Sequence, residues 1–343
     1  MPELTIALDP KSNSECKYSF VSHAHLDHVH SPKGVSKVVA SKETVSLARA
    51  RGYDLSRSVE QIPGMELVDA GHILGSRGAL IEDRVYYTGD VSTRDRGFLK
   101  GFRGVKCEIL IMETTYGRSR YVFPDINSLA HEVNKFIAAS YDRGLPVLLT
   151  GYPLGKAQII SRLFDTWEPV FLHHSVFKMN SEYRALGVNL KEFEEYSQSP
   201  DFERVMRRGP WVMIAPSFSR SSAFVSDIVK NYHASVATFT GWAVDLCRTY
   251  RSASEKRQYH DDDEEEEGFR RGGGRKTRVE YFPLSDHCDF RELVELVKYC
   301  NPSKIYTVHG FAKDFASYLN SIGFDAEPLS IEDDQMSISM FAT

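Results

Sequence analysis

The chain has 343 residues, a formal net charge of −5 and 42% hydrophobic residues, which is enough apolar material for one large core or two ordinary ones. With 42 basic and 47 acidic residues, it has no overall basic character, so any nucleic-acid binding must come from a local patch. The five cysteines are scattered and form no CxxC pair, which predicts reduced thiols, no thiolate zinc site and a cytoplasmic protein. The sequence predicts neither a signal peptide nor a membrane span.

Five short apolar segments each end near a carboxylate or an imidazole. The segments are LTIALD, YSFVSH, RVYYTGD, EILIMETT and KIYTVHG, and their polar residues are Asp9, His23, Asp90, Glu113 and His309. Each segment has the length and the β-branched or aromatic composition of a strand. Because groups at strand ends gather along one edge of the sheet in α/β proteins, these segments predict one shared site.

The middle of the chain alternates between strand and helix patterns. SLAHEVNKFIAASYDRG has helical spacing and stops at Gly144, LPVLLTG is a strand, and YPLGKAQIISRLFDTW is a turn into a helix. WVMIAPS and ASVATFTGW repeat the strand pattern. Strands that alternate with helices predict a parallel α/β unit, here a second domain.

An acidic block followed by a glycine- and arginine-rich block occupies residues 252–279 and contains almost nothing apolar. This composition predicts a disordered, solvated loop. A nucleic-acid-binding arm is the alternative, built from the basic residues Arg270, Arg271, Arg275, Lys276 and Arg278.

The segment FVSHAHLDHVH contains four histidines and an aspartate within eleven residues. His23 and His25 are two residues apart, so on an extended segment their side chains point the same way. Asp27 and His28 follow in the turn and face a second position. This spacing predicts two neighbouring cations, and imidazole and carboxylate ligands without sulfur favour zinc, with manganese or iron as alternatives. His30 fits no part of the spacing.

HAHLDH resembles the signature of the metallo-β-lactamase fold, a four-layer αββα sandwich with a dinuclear metal edge. The resemblance continues in order through LDPKSNS, DAGHILGS and YYTGDVS. It implies that Asp9 orients the histidine loop, that His72 completes the first metal site and that Asp90 bridges both metals. Gly71 and Gly89 precede the last two residues, where the backbone must turn tightly. The implied metal ligands are His23, His25, Asp27, His28, His72, Asp90 and His309.

Three further motifs, METTYG, FPLSDHCDF and YTVHGF, resemble motifs A, B and C of the β-CASP nucleases. They contain Glu113, His287 and His309. In that family a second α/β domain is inserted between motifs A and B, which is where the α/β stretch of this chain lies. The implied boundaries are 1–118 and 280–343 for the metallo-β-lactamase domain and 119–251 for the β-CASP domain.

Two further segments are candidate contacts for a polyanion. TGYPLGKAQ is one residue short of the phosphate-loop pattern GxxxxGK and has alanine where that loop needs a hydroxyl. It is better interpreted as a helix N-terminus at which Lys156 contacts a nucleic-acid backbone, and it is similar to the element that opens the inserted domain of β-CASP proteins. Ser219 and Arg220 in SFSRSS form a second candidate contact, with an ordinary capped turn as an equal alternative. His173 and His174 are expected to be structural.

The resemblance implies a nuclease that acts on single-stranded nucleic acid with two zinc ions, or manganese in their place. The two metals would activate a hydroxide for attack on phosphorus, with Asp27 in the catalytic set. His287 would be the general acid, and Glu113 would keep it protonated. The histidine at motif C, His309, favours RNA, because DNA-directed members of the Artemis type have valine there.

Three alternatives remain open at the level of sequence. The first is a DNA exonuclease that works in repair beside a ligase and a helicase, since METTYG and YPLGKAQ also resemble the ligase-associated exonucleases. The second is a small-molecule hydrolase of thioesters or lactams, which Glu113, His287 and the inserted domain disfavour. The third is an inactive scaffold, which the intact ligand positions disfavour. Processing factors or a ligase and helicase are the expected partners, and there is no expectation about oligomeric state.

Overall fold

The computed structural model describes residues 5–12, 15–30, 37–197, 202–217, 223–245 and 279–329. The chain divides into two compact units. Unit 1 comprises Met1–Val122, Lys178–Asn189 and Asp286–Thr343, and unit 2 comprises Phe123–Phe177 and Leu190–Ser285. Of the predicted loop 252–279, all residues but the last lie outside the described part of the chain. No helix among the described residues is long and apolar enough to cross a membrane.

A four-stranded parallel sheet forms the first layer of strands in unit 1. Its strands, in spatial order, are β1 (Ile6–Leu8), β2 (Tyr18–Phe20), β3 (Lys37–Val39) and β4 (Ser58–Val59), and helix α1 (Lys42–Ala50) connects the last two. The side chain of Ser41 caps α1 by accepting a hydrogen bond from the Thr44 N–H at 3.1 Å. Because β1 and β2 run parallel and end side by side, Asp9 lies next to the loop that follows Phe20, and its N–H donates to the Phe20 carbonyl at 2.9 Å.

A six-stranded mixed sheet forms the second layer. Its strands, in spatial order, are β16 (Ala326–Pro328), β15 (Lys304–Val308), β8 (Ile109–Glu113), β7 (Val85–Tyr87), β6 (Arg77–Ile81) and β5 (Met65–Asp69). The pairs β5–β6 and β6–β7 are antiparallel, and the remaining pairs are parallel. The parallel strands β7, β8 and β15 therefore end at the same edge of the sheet, where Asp90, Glu113 and His309 lie.

Apolar side chains fill the space between the two sheets and cover the outer face of the second. Phe20 and Val39 of the first sheet share one buried cluster with strands of the second, including Ile111. On the other face of the second sheet, a separate cluster joins strand residues such as Leu110 to the two helices α7 (Phe290–Cys300) and α8 (Ala312–Ser321). Together with α1, these layers form the αββα sandwich that the sequence predicted.

Unit 2 is a parallel α/β structure. Its sheet contains, in spatial order, β11 (Glu194–Glu195), β10 (Val170–Leu172), β12 (Val212–Pro216), β9 (Val147–Gly151), β13 (Ser235–Phe239) and β14 (Val279–Phe282). The helices that alternate with these strands are α2 (Ile126–Tyr141), α3 (Lys156–Leu163), α4 (His174–Ala185), α5 (Phe202–Arg208) and α6 (Ala223–Tyr232), of which α4 belongs to unit 1 from Lys178 onwards. The second α/β domain predicted from the alternating pattern is therefore present.

The limits of the two units differ from the predicted domain boundaries. The first change of unit follows Val122, a few residues after the predicted boundary at 118. Strand β14 pairs in parallel with β13 over four residue pairs, from Val236 with Val279 to Phe239 with Phe282. The predicted boundary at 280 therefore falls inside a strand of unit 2.

Candidate metal centre

Four side chains from three loops meet at one edge of unit 1. They are His23 and His25 after β2, His72 after β5 and Asp90 after β7, and their donor atoms all lie within 4.8 Å of one another. The Nε2 atoms of His23 and His72 are 3.4 and 3.6 Å from Asp90 Oδ2. His72 Nε2 is 3.1 Å from His25 Nδ1. The structure thus brings together the ligand set expected for the first metal.

Glycines before two of these ligands permit the close approach of the loops. Gly71 and Gly89 have φ angles of +69° and +54°. A Cβ on Gly71 would lie 2.4 Å from the Ser92 carbonyl oxygen, and one on Gly89 would lie 2.7 Å from Ser22 Cβ. Since these neighbours are packed backbone and the base of a buried side chain, only glycine fits the two turns.

A hydrogen bond behind His72 determines which of its nitrogens faces the cluster. His72 Nδ1 donates to the Asp286 carbonyl oxygen at 2.8 Å. Burial and the neighbouring His287 lower the pKa of His72 well below its usual value, so the ring is neutral. A neutral ring that donates from Nδ1 presents a lone pair on Nε2, which is the form that binds a metal ion.

The Nε2 atom of His23 tests whether the cluster suits a metal ion. The side chain is fully buried, and this nitrogen has no hydrogen-bond partner. Its Nδ1 lies 2.9 Å from Ser22 Oγ, which itself donates to Asp9 and therefore accepts the Nδ1 proton. Burial and nearby histidines, led by His28, lower the pKa of His23 well below its usual value. A buried lone pair without a partner costs about 1–3 kcal/mol, so the cluster fits a metal cofactor that would satisfy it.

His28 faces the cluster from the side of Asp9. Its Nδ1 donates to Asp9 Oδ2 at 2.8 Å, and its Nε2 lies 3.5 Å from Asp90 Oδ1. Burial opposes a charge on the ring, but Asp90, Asp9 and Asp27 together raise the pKa of His28 to about 10. The ring is therefore protonated on both nitrogens and positively charged in the metal-free protein. A metal ion among the same carboxylates would take the place of one of these protons.

Asp9 holds the histidine loop from behind through four hydrogen bonds. Its Oδ1 accepts from the Ser22 N–H at 2.7 Å, and its Oδ2 accepts from Ser22 Oγ at 2.6 Å, from His28 Nδ1 and from the Tyr87 hydroxyl at 2.8 Å. Burial disfavours a charge on Asp9, but His28 and Ser22 lower its pKa below the usual value. This geometry suits the orienting role expected for Asp9. Ser22 and Tyr87 were not predicted, although Ser22 directly precedes the first ligand.

The expected ligands of a second metal are less closely grouped. His28 Nε2 is 3.6 Å from Asp27 Oδ2, and the ring centres of His28 and His309 are 5.6 Å apart. Asp27 and His309 are both exposed. Within the described part of the chain, these residues and Asp90 do not form a group whose donor atoms all lie within 4.8 Å. The second metal therefore remains a prediction.

Glu113 and His287 form a hydrogen-bonded pair beside Asp90. His287 Nδ1 donates to Glu113 Oε1 at 2.8 Å, and His287 Nε2 lies 3.9 Å from Asp90 Oδ2. These three side chains are close enough together to hold a metal ion. However, the N–H groups of Val91 and Thr115 also donate to the Glu113 carboxylate, at 3.1 and 3.0 Å. A carboxylate satisfied in this way is suited to holding the His287 ring rather than to coordinating a metal.

Electrostatic attraction keeps both members of this pair charged. Burial raises the pKa of Glu113, but the charge and hydrogen bond of His287 lower it to about 2. Burial likewise lowers the pKa of His287, but Glu113 and Asp90 raise it to about 9. Near neutral pH, His287 is therefore protonated and its Nε2–H points away from Glu113. This is the state that a general acid requires.

The predicted contacts for a nucleic-acid backbone belong to unit 2 or lie outside the described residues. Lys156 is the first residue of α3 and is largely buried, with its Nζ 5.9 Å from the centre of the Tyr152 ring. Ser219 and Arg220 lie outside the described residues. The expectation that these three residues bind substrate remains a prediction.

Arg96 is buried at the site, and its support of the loop that carries His72 was not predicted. Its side chain is fully enclosed, and one terminal nitrogen donates to the Gly71 carbonyl and, at 2.9 Å, to the His72 carbonyl. The guanidinium therefore supports the backbone that carries His72. In the sequence, Arg96 is only one of several basic residues that follow Asp90.

Residues 273–327 match the family model described as "Zn-dependent metallo-hydrolase RNA specificity domain". The chain is 33% identical over 341 residues to a protein named "Probable DNA ligase" from Opitutus terrae, a match that covers 94% of this chain and 30% of that protein. It is 21% identical over 347 residues to an "RNase J-like protein" from Methanocaldococcus jannaschii, covering 84% of this chain and 80% of that protein. The chain therefore spans less than a third of the length of the ligase.

The solved structures include one with the same fold. The crystal structure of a protein of unknown function from Enterococcus faecalis V583 matches with a TM-score of 0.56 and 12% identity, covering 91% of this chain and 79% of that chain. At this identity the likeness shows the fold alone. With the sandwich, the inserted α/β unit, the metallo-hydrolase match and the sequence relatives taken together, the chain belongs to the metallo-β-lactamase/β-CASP nuclease family.

Proposed function

We propose that this chain is a metal-dependent nuclease that hydrolyses phosphodiester bonds in single-stranded nucleic acid. The observation that carries the proposal is the position of His287 beside the buried ligand cluster, with its Nδ1 engaged by Glu113 and its Nε2 3.9 Å from Asp90. The alkoxide that leaves a phosphodiester is a strong base, so a positioned proton donor accelerates its departure. A leaving thiolate is a weak base and needs no such donor, so the arrangement supports a phosphodiesterase over a hydrolase of thioesters.

The proposed cofactor is a pair of zinc ions, with manganese as the alternative. One ion would be held by His23, His25, His72 and Asp90, and the other by Asp27, His28, Asp90 and His309. Nitrogen and oxygen donors without sulfur suit both metals. When bound, such ions supply Lewis acidity and lower the pKa of water to about 7.

His287, Glu113 and Asp27 have different roles in the proposed proton transfers. His287 gives the proton on Nε2 to the leaving oxygen, while Glu113 keeps the ring charged and correctly turned. Asp27 is 3.6 Å from His28 and exposed at the edge of the cluster, and we assign to it the acceptance of a proton from the attacking water.

We favour RNA as the substrate and retain DNA as a second candidate. His309 at the third nuclease motif and the match of residues 273–327 to the RNA specificity domain support RNA. The 33% identity to the probable DNA ligase, over 94% of this chain, supports DNA and a role in repair beside a ligase. With either substrate, the expected partners remain predictions, whether they are processing factors or a ligase and a helicase. The cytoplasmic location also remains a prediction.

Cleavage of matched polymers tests the proposal. End-labelled single-stranded RNA and DNA of one sequence are incubated with the wild type and with the double variant Asp27→Ala/His28→Ala, in zinc or manganese. We expect the wild type to cut RNA and the double variant to be inactive. DNA cut at an equal or greater rate supports the second candidate. If the wild type cuts neither polymer faster than the double variant does, the nuclease proposal is wrong, and turnover of nitrocefin or a thioester then tests the small-molecule alternative.

A further inference from the structure

A pocket with two arginines and two aromatic rings opens on the surface of unit 1. We call it the Arg118 pocket, and its lining residues are Gly117, Arg118, Ser119, Arg120, Phe290, Asp314 and Tyr318. Its volume is about 280 Å³. Small-molecule sites span roughly 300–1,000 Å³, so the pocket has room for a phosphate and its sugar but not for a large ligand.

A row of aromatic rings connects the Arg118 pocket with the hydrogen-bonded pair of Glu113 and His287. The ring centre of Tyr116 is 5.9 Å from that of His287 and 5.2 Å from that of Tyr121. Tyr121 stacks on Phe311 at 5.5 Å, and the guanidinium carbon of Arg118 lies 4.1 Å from the centre of the Phe311 ring. The pocket is therefore within reach of a strand whose scissile phosphate lies at His287.

Stacking holds the two arginines on the same aromatic surface. The guanidinium carbon of Arg120 lies 4.6 Å from the ring centre of Tyr121 and 5.5 Å from that of Phe311, which also carries Arg118. Arg120 donates to the Tyr121 hydroxyl at 2.9 Å. A guanidinium plane fixed in this way loses little freedom when it binds an anion, and its fork of N–H donors matches the geometry of phosphate.

One carboxylate in the pocket competes with an anion. Asp314 Oδ2 accepts a hydrogen bond from Arg118 Nε at 2.5 Å. The two side chains are 42% and 48% exposed, and an ion pair with this exposure stabilises a protein by only about 0–1 kcal/mol. A phosphate can therefore replace Asp314 at Arg118 with little loss, and removal of the Asp314 charge should strengthen anion binding.

We propose that the Arg118 pocket binds a phosphate of the nucleic-acid strand that flanks the cleaved bond. This inference rests on the proposed nuclease function and assigns to the strand a contact outside the metal cluster. Arg118 and Arg120 bind the phosphate, and Tyr318, which is 36% exposed, presents its ring to the neighbouring sugar or base. These residues do not touch the reacting atoms, so they contribute to the binding of long substrates and not to the chemical step.

Two substrates of different length distinguish the contribution of the Arg118 pocket from that of the catalytic centre. The wild type, Arg118→Ala and Arg120→Ala are assayed on a single-stranded oligonucleotide and on bis(p-nitrophenyl) phosphate, a diester without flanking phosphates. Each variant should raise KM for the oligonucleotide by about tenfold, since each removes a charge-assisted hydrogen bond, and should leave kcat/KM for the small diester unchanged. Asp314→Asn should lower KM for the oligonucleotide, the opposite direction.

Arg84→Ala is the matched control for Arg118→Ala. Arg84 lies in the same unit, its Nε donates to Glu108 at 2.7 Å, and its side chain is also 42% exposed. The control removes the same charge, and we expect it to leave KM for the oligonucleotide unchanged. An equal rise in KM with Arg84→Ala would show that the effect comes from the overall charge of the protein and would overturn the proposed phosphate site. An unchanged KM with Arg118→Ala would overturn it as well.

Binding measured without turnover keeps the pocket test separate from the nuclease test. Anisotropy of labelled oligo(U) and oligo(dT) is followed with the His287→Gln protein and with the same protein carrying Arg118→Ala. Weaker binding with Arg118→Ala supports the pocket even if no polymer is cleaved, whereas unchanged binding overturns it even if cleavage is found. If an alanine variant unfolds at the assay temperature, Asp314→Asn decides alone, and unaltered oligonucleotide binding by that variant overturns the proposal.

Discussion

Histidines follow parallel strands in both units, and the two sets have opposite surroundings. In unit 1, His23 is fully buried and its Nε2 has no hydrogen-bond partner. In unit 2, His173 and His174 directly follow β10, and protein oxygens engage their rings. His173 Nδ1 is 2.9 Å from Ser175 Oγ, and His174 Nδ1 is 3.1 Å from Glu195 Oε1.

The difference shows that position at a strand end does not by itself make a histidine a metal ligand. In unit 1, oxygen atoms lie behind the rings and Asp90 lies in front of them, so several lone pairs converge on one point. Among the described residues, both groups of potential metal ligands lie in unit 1. Convergence of several ring nitrogens on one carboxylate is therefore the feature that distinguishes the candidate metal centre.

Asp90→Asn should break the centre and have the largest effect. Asp90 approaches His28 with Oδ1 and His23 with Oδ2, at 3.5 and 3.4 Å, so the substitution removes a charge that both sides of the centre share. We expect loss of bound metal and a fall in phosphodiesterase activity by about 10³ or more, because metal ions contribute several kcal/mol to such reactions. Metal analysis and turnover of bis(p-nitrophenyl) phosphate measure both. Full metal content with full activity would contradict the assignment of Asp90.

His287→Gln should separate proton donation from metal binding. His287 Nδ1 is held by Glu113 and its ring is not needed for the first metal, so the variant should keep its metal. Its kcat should fall by about 10²–10⁴, the usual contribution of a general acid. Metal content measured beside kcat gives the comparison with Asp90→Asn, and a parallel loss of metal would place His287 among the ligands.

Glu113→Gln should change the pH dependence of the rate. Burial disfavours the protonated His287 ring, but Glu113 and Asp90 raise its pKa to about 9. A general acid acts only while it is protonated, so the wild-type rate should fall at alkaline pH. Removing the Glu113 charge lowers the pKa of His287, and the alkaline fall should move to lower pH. Profiles of kcat against pH measure the shift, with the exposed Glu108→Gln as the control that should leave the profile unchanged.

Ser22→Ala should weaken metal binding without removing a ligand. Ser22 Oγ accepts the Nδ1 proton of His23 and donates to Asp9, so its loss releases the orientation of the ring. Groups behind metal ligands typically affect metal affinity by about 10–100-fold. Competition with a chelator measures the affinity. Ser19→Ala is the matched control, since Ser19 is buried in β2, the strand that precedes Ser22, and its Oγ has no hydrogen-bond partner. An equal change in both variants would show that only packing is involved.

The grouping of His23, His25 and His28 could be predicted because their spacing within one segment is local information. The five strands that lead to the site could be predicted for the same reason, since each apolar run and the polar residue after it are contiguous. Arg96 could not be predicted, because its acceptors are backbone carbonyls 24 and 25 residues earlier, and a carbonyl leaves no mark in a sequence. The predicted boundary at 280 falls inside β14. The domain to which such a short strand belongs is decided by the strand with which it pairs, here β13, and the sequence does not show that pairing.

His174→Ala should have the smallest effect and is the most direct test of the contrast between the two units. His174 is 67% exposed, and it pairs with Glu195, whose side chain is buried. Glu195 also accepts a hydrogen bond from Ser197 Oγ at 2.7 Å, so the carboxylate keeps a partner when the imidazole is removed. We therefore expect unchanged metal content and a change in the free energy of unfolding of at most about 1 kcal/mol. Metal analysis and denaturant titration measure these quantities, and loss of metal from this variant would mean that histidines engaged by protein oxygens can still serve as ligands.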